Sequence, residues 1–393
     1  MKKFLKILMV CAVSLMALAL PSCSDEPEQD TTVERTLFVY LPWTSNLTDY
    51  LSNNIKEIES VIAQNGLGSQ RVLVYFATSS TESSLFEIVP KKGGTTRNTL
   101  KTYTNADLDL ATSEGIASLL TDVKTFSPSL KYSMIVGCHG YGWLMKSEFG
   151  KKSSTVLRSI IKPGADAGLL TRFMGGATLK YQLDIPDFVD GVNQTGLHFE
   201  YIAFESCYMA STEALYDMRN LADYIVASPC EMMASGFPYT KIGKYLLGEP
   251  DLNAFCQGFF DYYSTADQPY GTLSLIDCSQ LEGLATVMKK INASCAISDM
   301  ALVRVQRLDY FNPVIFYDLG DYVTRMVDDA ALLSEFEEQM AKTVLYEVHT
   351  SFYYTGTAGR IQLNTCSGLS VSDPTNHSYA ASKEKTSWWI ATH

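Results

Sequence analysis

Apolar residues fall along this chain in two alternating rhythms. Short near-continuous apolar runs occupy residues 36–41 (TLFVYL), 71–76 (RVLVYF), 133–138 (SMIVGC), 199–204 (FEYIAF) and 223–228 (DYIVAS). Between the first two, Leu47, Leu51, Ile55, Ile58 and Ile62 recur at three- and four-residue steps up to Gly66, the spacing of one helix face closed by a C-terminal glycine. Ser113 can cap a second helix with Ile116, Leu119, Leu120 and Val123 on one face, and Ala210, Ala214, Met218 and Leu221 trace a third. Strands that are apolar on both faces and alternate with helices predict an α/β fold, a mostly parallel sheet covered on both sides over 36–240. Residues 241–393 mix helical patterns (252–263, 278–291, 330–348) with short strands (271–276, 368–372), and read as an α+β extension packed on that core. Trp388-Trp389 reads as core cover.

The first 22 residues follow another logic. Lys2, Lys3 and Lys6 precede an apolar run over 7–20, too short to span a bilayer comfortably and flanked as a signal peptide is. Leu20-Pro21-Ser22-Cys23 resembles a bacterial lipobox, which implies acylation of Cys23 and lipid anchoring in the outer membrane. Pro21 departs from that pattern, so ordinary secretion is the alternative. The acidic, Pro-containing stretch 23–35 is expected to be a flexible tether, or a signal for export to the cell surface.

Composition narrows the function. The 393 residues carry 31 Lys+Arg against 43 Asp+Glu, a net charge of −12, which argues against nucleic acid as a partner. Cys138, Cys207, Cys230, Cys256, Cys278, Cys295 and Cys366 follow the leader; they are odd in number and show no tight pair, so neither a zinc site nor a disulfide scaffold is expected. His198, His349, His377 and His393 lack ligand-like spacing and read as structural or surface groups. No calcium loop is present in the sequence.

In an open parallel sheet, sites form beyond the carboxyl ends of the strands. His139 follows the third apolar run, in Gly137-Cys138-His139-Gly140, and Cys207 the fourth, in Glu205-Ser206-Cys207. If those strands are neighbours, an imidazole faces a thiol. A helix starting directly after Cys207 would favour the thiolate, and the amides of Gly140 and Cys207 could hold an oxyanion. These are the parts of a cysteine peptidase working through a Cys-His dyad.

At these residues, and through Met209, Glu213, Tyr224-Ile225-Val226-Ala227-Ser228 and Gly236-Phe237-Pro238-Tyr239, the sequence resembles the clostripain family, within the caspase-like group that includes gingipain, legumain and separase. Phe38–Leu41 with Asn46-Leu47, and Gly368-Leu369-Ser370, extend the likeness. The resemblance implies a three-layer α/β/α caspase-like sandwich, Cys207 as nucleophile, His139 as its partner, and cleavage of protein or peptide after Arg or Lys. Glu205, where the family commonly has Asp, and Glu231 are the acids expected to bind that basic residue. Calcium enters only by the resemblance, and no other cofactor is expected. Residues 144–182 hold seven basic residues against Glu148 and Asp166, which predicts an exposed loop. Cleavage there, at Lys146, Lys151 or Lys152, would activate the enzyme; an ordinary surface loop is the alternative. A monomer is expected. The rival to the peptidase is a catalytically silent surface lipoprotein that binds peptide or glycan in the same cleft.

Overall fold

In the computed structural model, residues 33–104, 108–145, 175–176, 179–356, 358–373 and 383–393 are described. Cys23, residues 24–32 of the expected tether, His377 and the Lys146, Lys151 and Lys152 sites lie outside them, whereas residues 33–35, also expected in the tether, begin the first strand. Val33–His393 forms one compact unit.

Thirteen strands are described: β1 Val33–Leu41, β2 Gln70–Ala77, β3 Glu82–Lys91, β4 Gly94–Thr104, β5 Ser129–Gly137, β6 Phe199–Glu205, β7 Ala222–Ala227, β8 Thr272–Asp277, β9 Tyr317–Asp318, β10 Val344–His349, β11 Phe352–Thr355, β12 Gly359–Gln362 and β13 Ser370–Val371. Nine of them make the central sheet, in the order β10-β8-β7-β6-β5-β1-β2-β3-β4. The five in the middle are parallel and coincide with the five apolar runs; the hairpin β3–β4 and the strands β8 and β10 flank them in antiparallel fashion. The core five are buried on both faces, as their composition requires.

Chain order fixes which side each helix takes. From β1 the chain moves one way to β2 through α1 (Thr48–Asn65). It then moves the other way to β5 through α2 (Ser113–Phe126), to β6 through α3 (Ile185–Thr195) and to β7 through α4 (Thr212–Met218). Right-handed crossovers then place α1 on one face and the others on the opposite face. α5 (Leu252–Thr265) packs with residues 239–246, which also meet α1, whereas α6 (Leu281–Ser294) and α8 (Ser387–Thr392) join α4. Trp388 is buried there, edge-on to Tyr216. The sandwich therefore has three layers.

Two features differ from the sequence reading. The C-terminal part does more than pack on the core, because β8 and β10 complete the central sheet. The helix expected over 330–348 ends at Thr343 (α7, Ala330–Thr343), and Val344–His349 pairs with β8. Val344, Leu345 and Val348 fit either period, and pairing with β8 decides the outcome.

Candidate active site

The carboxyl ends of β1, β5 and β6 converge at one edge of the sheet. Sheet order reverses at β1, since β2 lies on one side of it and β5 on the other, so a crevice opens between the loops that follow β1 and β5. Gly137 of β5 is level with Glu205 of β6, which places His139 and Cys207, each two residues further on, side by side. The two strand ends are clasped: the Ser206 hydroxyl donates to the Cys138 carbonyl at 2.9 Å. Gly140 rests on the Cys207 backbone, and a Cβ there would lie 2.3 Å from the Cys207 carbonyl oxygen. Only glycine permits that approach.

The turn after Cys207 is strained. Tyr208 has φ of 60°, a left-handed conformation that costs a non-glycine residue on the order of 1–3 kcal/mol. Its surroundings enforce it. The ring stacks on Phe316 at 4.7 Å, the hydroxyl donates to Glu231 at 2.9 Å, and the amide donates to the Cys230 carbonyl at 3.0 Å. Because Tyr208 and Ala210 are stitched to 228–230 in this way, no helix starts at Cys207. α4 begins at Thr212 with Ser211 as its cap, so the expected dipole support is five residues away. A backbone amide takes its place: Met232 N–H donates to Cys207 Sγ at 3.2 Å. The sequence reading missed Met232, and an amide donor leaves no mark in side-chain chemistry.

His139 is fully buried and Cys207 almost so. The His139 amide donates to the carbonyl of Gly175, the returning end of the basic segment, which thus lies directly on the histidine. The His139 ring bonds through Nε2 to Oδ1 of Asn46 at 2.7 Å. An amide oxygen only accepts, so Nε2 carries the proton in this bond. Asn46 sits beyond β1 on a loop bent by Ser45 at φ of 67°, and the bond spans the switch point. Its position behind the central strand and the likeness at Asn46-Leu47 were the available signals, and neither gave it a role.

The two predicted specificity acids are occupied within the chain. Glu205 is fully buried. It accepts from Asn54 Nδ2 at 2.7 Å, from Phe237 N–H at 2.6 Å and from the Tyr239 hydroxyl at 3.1 Å. Gly236, at φ of 65°, has its Cβ position filled by the Glu205 carboxylate, 1.6 Å away. Glu231 accepts from Tyr208 and from Gly356 N–H at 3.2 Å. Next to Glu205 runs a groove of about 450 Å³ between α1 and residues 235–240, with Asn54, Gly236 and Phe237 in its wall and Asp49 and Glu57 on its rim. Among the described residues, none that lines it is cationic.

Calcium needs six to eight oxygen ligands. Among the described residues, the one cluster of three metal-capable side chains is Glu347, His349 and Cys366, whose sulfur and nitrogen do not suit that ion. None of the seven described cysteines is in a disulfide.

Several solved structures are similar to this chain. A secreted cysteine protease from Bacteroides thetaiotaomicron, iotapain, is 40% identical, with a TM-score of 0.84 over 92% of this chain and 99% of its own. A clostripain from the same species, in complex with the peptide inhibitor BTN-VLTK-AOMK, is 42% identical over 56% of this chain and 99% of its own, with a TM-score of 0.55. An inactive zymogen protease from Parabacteroides distasonis, 24% identical, shares the fold with a TM-score of 0.76 over 92% of this chain and 99% of its own. No curated protein matches the chain. The clostripain family model matches residues 39–354, most of the chain and both His139 and Cys207, and the protein is therefore a member of the clostripain family of cysteine peptidases.

Proposed function

We propose that the chain is an exported endopeptidase in which Cys207 and His139 hydrolyse peptide bonds after Arg or Lys. The observation that carries this reading is the seating of Gly140 on Cys207, with the Met232 amide at the sulfur and the His139 ring held by Asn46. His139 Nδ1 takes the Cys207 thiol proton, the resulting thiolate attacks the scissile carbonyl carbon, and the amides of Gly140 and Cys207 receive the oxyanion. His139 protonates the departing amine from Nδ1, leaving an acyl-enzyme. A water, deprotonated by the same nitrogen, then releases the acid and regenerates the thiolate. Asn46 acts as a positioning residue that fixes the ring's tautomer.

The preference for a basic residue rests on the groove. Asp49 and Glu57 stand on its rim, Glu205 lies behind its wall, and no cation among the lining residues opposes them. The sealed Glu205 contributes potential and shape there, while Asp49 and Glu57 can meet an ammonium or guanidinium; Glu231, the other expected acid, is held by Tyr208 and Gly356 and does not line the groove. The inhibitor bound to the clostripain that is 42% identical reads VLTK, ending in lysine.

Burial of both reacting groups, with Gly175 bonded to the His139 amide, supports a zymogen that opens when the 144–182 segment is cut. Export fits both the leader and the secreted relative, and Cys23 acylation would tether the enzyme to the outer membrane.

Peptidyl-Lys and peptidyl-Arg fluorogenic substrates under reducing conditions test the reading. Hydrolysis that Cys207→Ala abolishes, with the mutant keeping its full intact mass while wild type is cut within 144–182, is the expected result. A folded chain that neither hydrolyses these substrates nor is labelled at Cys207 by a peptidyl chloromethyl ketone, even after nicking within 144–182, would make it the silent binder instead.

A further inference from the structure

At the far edge of the central sheet, Glu347 and His349 occupy alternate positions of β10 and so share one face of that strand. The turn that carries Cys366 lies directly against them. Ser274, the cross-strand partner of Glu347, donates to the Gly368 carbonyl at 2.8 Å, and a Cβ on Gly368 would sit 3.0 Å from Glu347 Cγ. Asp318 holds the neighbouring Ser367 amide at 2.9 Å, which fixes the turn from its other side. One ligand atom from each of Glu347, His349 and Cys366 then falls within 4.8 Å of the others. His349, read from spacing alone as structural, thus has two metal-capable neighbours that no sequence interval announces.

We propose that Glu347, His349 and Cys366 form a binding site for one zinc-class divalent cation. Three arguments converge. The donor set is sulfur, nitrogen and carboxylate oxygen, which suits zinc and disfavours calcium or magnesium. A thiolate, a carboxylate and a neutral imidazole carry two negative charges, the number that balances the ion. All three residues are half-buried, and a cavity of about 340 Å³ reaches Glu347 and Ser367, the neighbour of Cys366, which leaves room for water as the fourth ligand. His349 Nδ1 already lies 2.8 Å from Glu347 Oε1, so the pair must part slightly to admit the ion between ligands about 2.0–2.3 Å from it. Binding releases the Cys366 thiol proton to solvent, so affinity rises with pH.

This site is independent of the peptidase reading, and its test is run in a Cys207→Ala background so that zinc cannot report on the candidate nucleophile. The reduced full-length protein is titrated with Co(II) and then Zn(II) without chelators. One cobalt per chain should bind with a sulfur-to-metal charge-transfer band, be displaced by zinc and not by excess calcium, and raise the unfolding midpoint. Cys366→Ser should abolish the band and the stabilisation, and His349→Ala should weaken binding at least about tenfold. Both variants should unfold like their parent when metal-free; if Cys366→Ser does not fold, the half-exposed His349→Gln carries the decision. Absence of the band in the folded parent, or its persistence in either serine or histidine variant at unchanged affinity, overturns the proposal.

Discussion

Strand β6 carries a glutamate near each end, and the two are held in opposite ways. Glu200, near the amino end, is partly exposed and meets two cations: Arg35 at 3.0 Å and Lys131 at 2.7 Å. Arg35 also reaches Glu34 and Glu249. Glu205, at the carboxyl end, is sealed from solvent, and a side-chain amide, a backbone amide and a phenol donate to it. The amino edge is wet and redundant, so removing one partner leaves another. The carboxyl edge is dry and geometrically exacting, with left-handed residues at Ser45 and Tyr208 and a glycine wherever a side chain would collide. Exposed ion pairs tie strands together cheaply, but they cannot fix a reacting group to within a fraction of an ångström. Buried neutral donors can, and strain confined to this edge marks where the fold has given up stability for position.

The largest effect that would break this contrast is expected at Glu205. Glu205→Ala strands the Asn54 amide, the Phe237 N–H and the Tyr239 hydroxyl in the interior, at about 1–3 kcal/mol for each unsatisfied group. A loss of about 4 kcal/mol in urea denaturation is therefore expected, and a loss below about 1 kcal/mol would show that the carboxylate organises nothing. Gly236→Ala should approach the same cost, since its new methyl falls on that carboxylate. Asn46→Ala should spare folding and lower kcat about ten- to a hundredfold at unchanged KM, with Asn46→Asp restoring part of it, because the ring is disoriented rather than removed. Parallel falls in unfolding midpoint and kcat would reduce Asn46 to a structural role.

The buried carboxyl of Asp309 sharpens the contrast through pH. It accepts from the amides of Phe311 and Ile315 in the loop that supports Tyr208, yet burial pushes it up to about 7. The unfolded chain releases this proton near the ordinary value of about 3.8, whereas the folded chain keeps it to about 7. Over that interval the folded state binds more protons, so stability contributed by this group is present at low pH and is lost as pH rises towards about 7. The slope approaches about 1.4 kcal/mol per pH unit for one proton. Asp309→Asn, neutral throughout, should flatten that part of the stability profile, and an unchanged slope would assign it to other groups.

These tests fall on residues of very different visibility. The five parallel strands were legible because strands buried on both faces cannot avoid looking apolar, and α1 because its buried Leu51, Ile55, Ile58 and Ile62 keep helical spacing. The β3–β4 hairpin was not: β4 reads GTTRNTLKTYT, mostly exposed threonines and charges on an edge that needs no apolar face. His139 and Cys207 stood out because reactive side chains follow apolar runs. Asn54 and Met232 did not, and Asn46 did so only within the family likeness and without a role, since their part depends on where a loop from one strand meets a neighbour that is remote in the chain.

The smallest expected effect tests the amino edge. Arg35→Met removes a nearly buried guanidinium whose partners keep alternatives: Glu200 retains Lys131, Glu34 retains the Ser69 hydroxyl at 2.7 Å, and Glu249 is largely exposed. The Met side chain preserves much of the apolar contact, so the loss should stay within about 1 kcal/mol, typical of surface ion pairs, and should shrink further in high salt. Peptidase activity at the opposite edge should not change. A cost of several kcal/mol, insensitive to salt, would place Arg35 among the dry and exacting groups and erase the difference between the two ends of β6, because that signature belongs to a buried charge left without compensation.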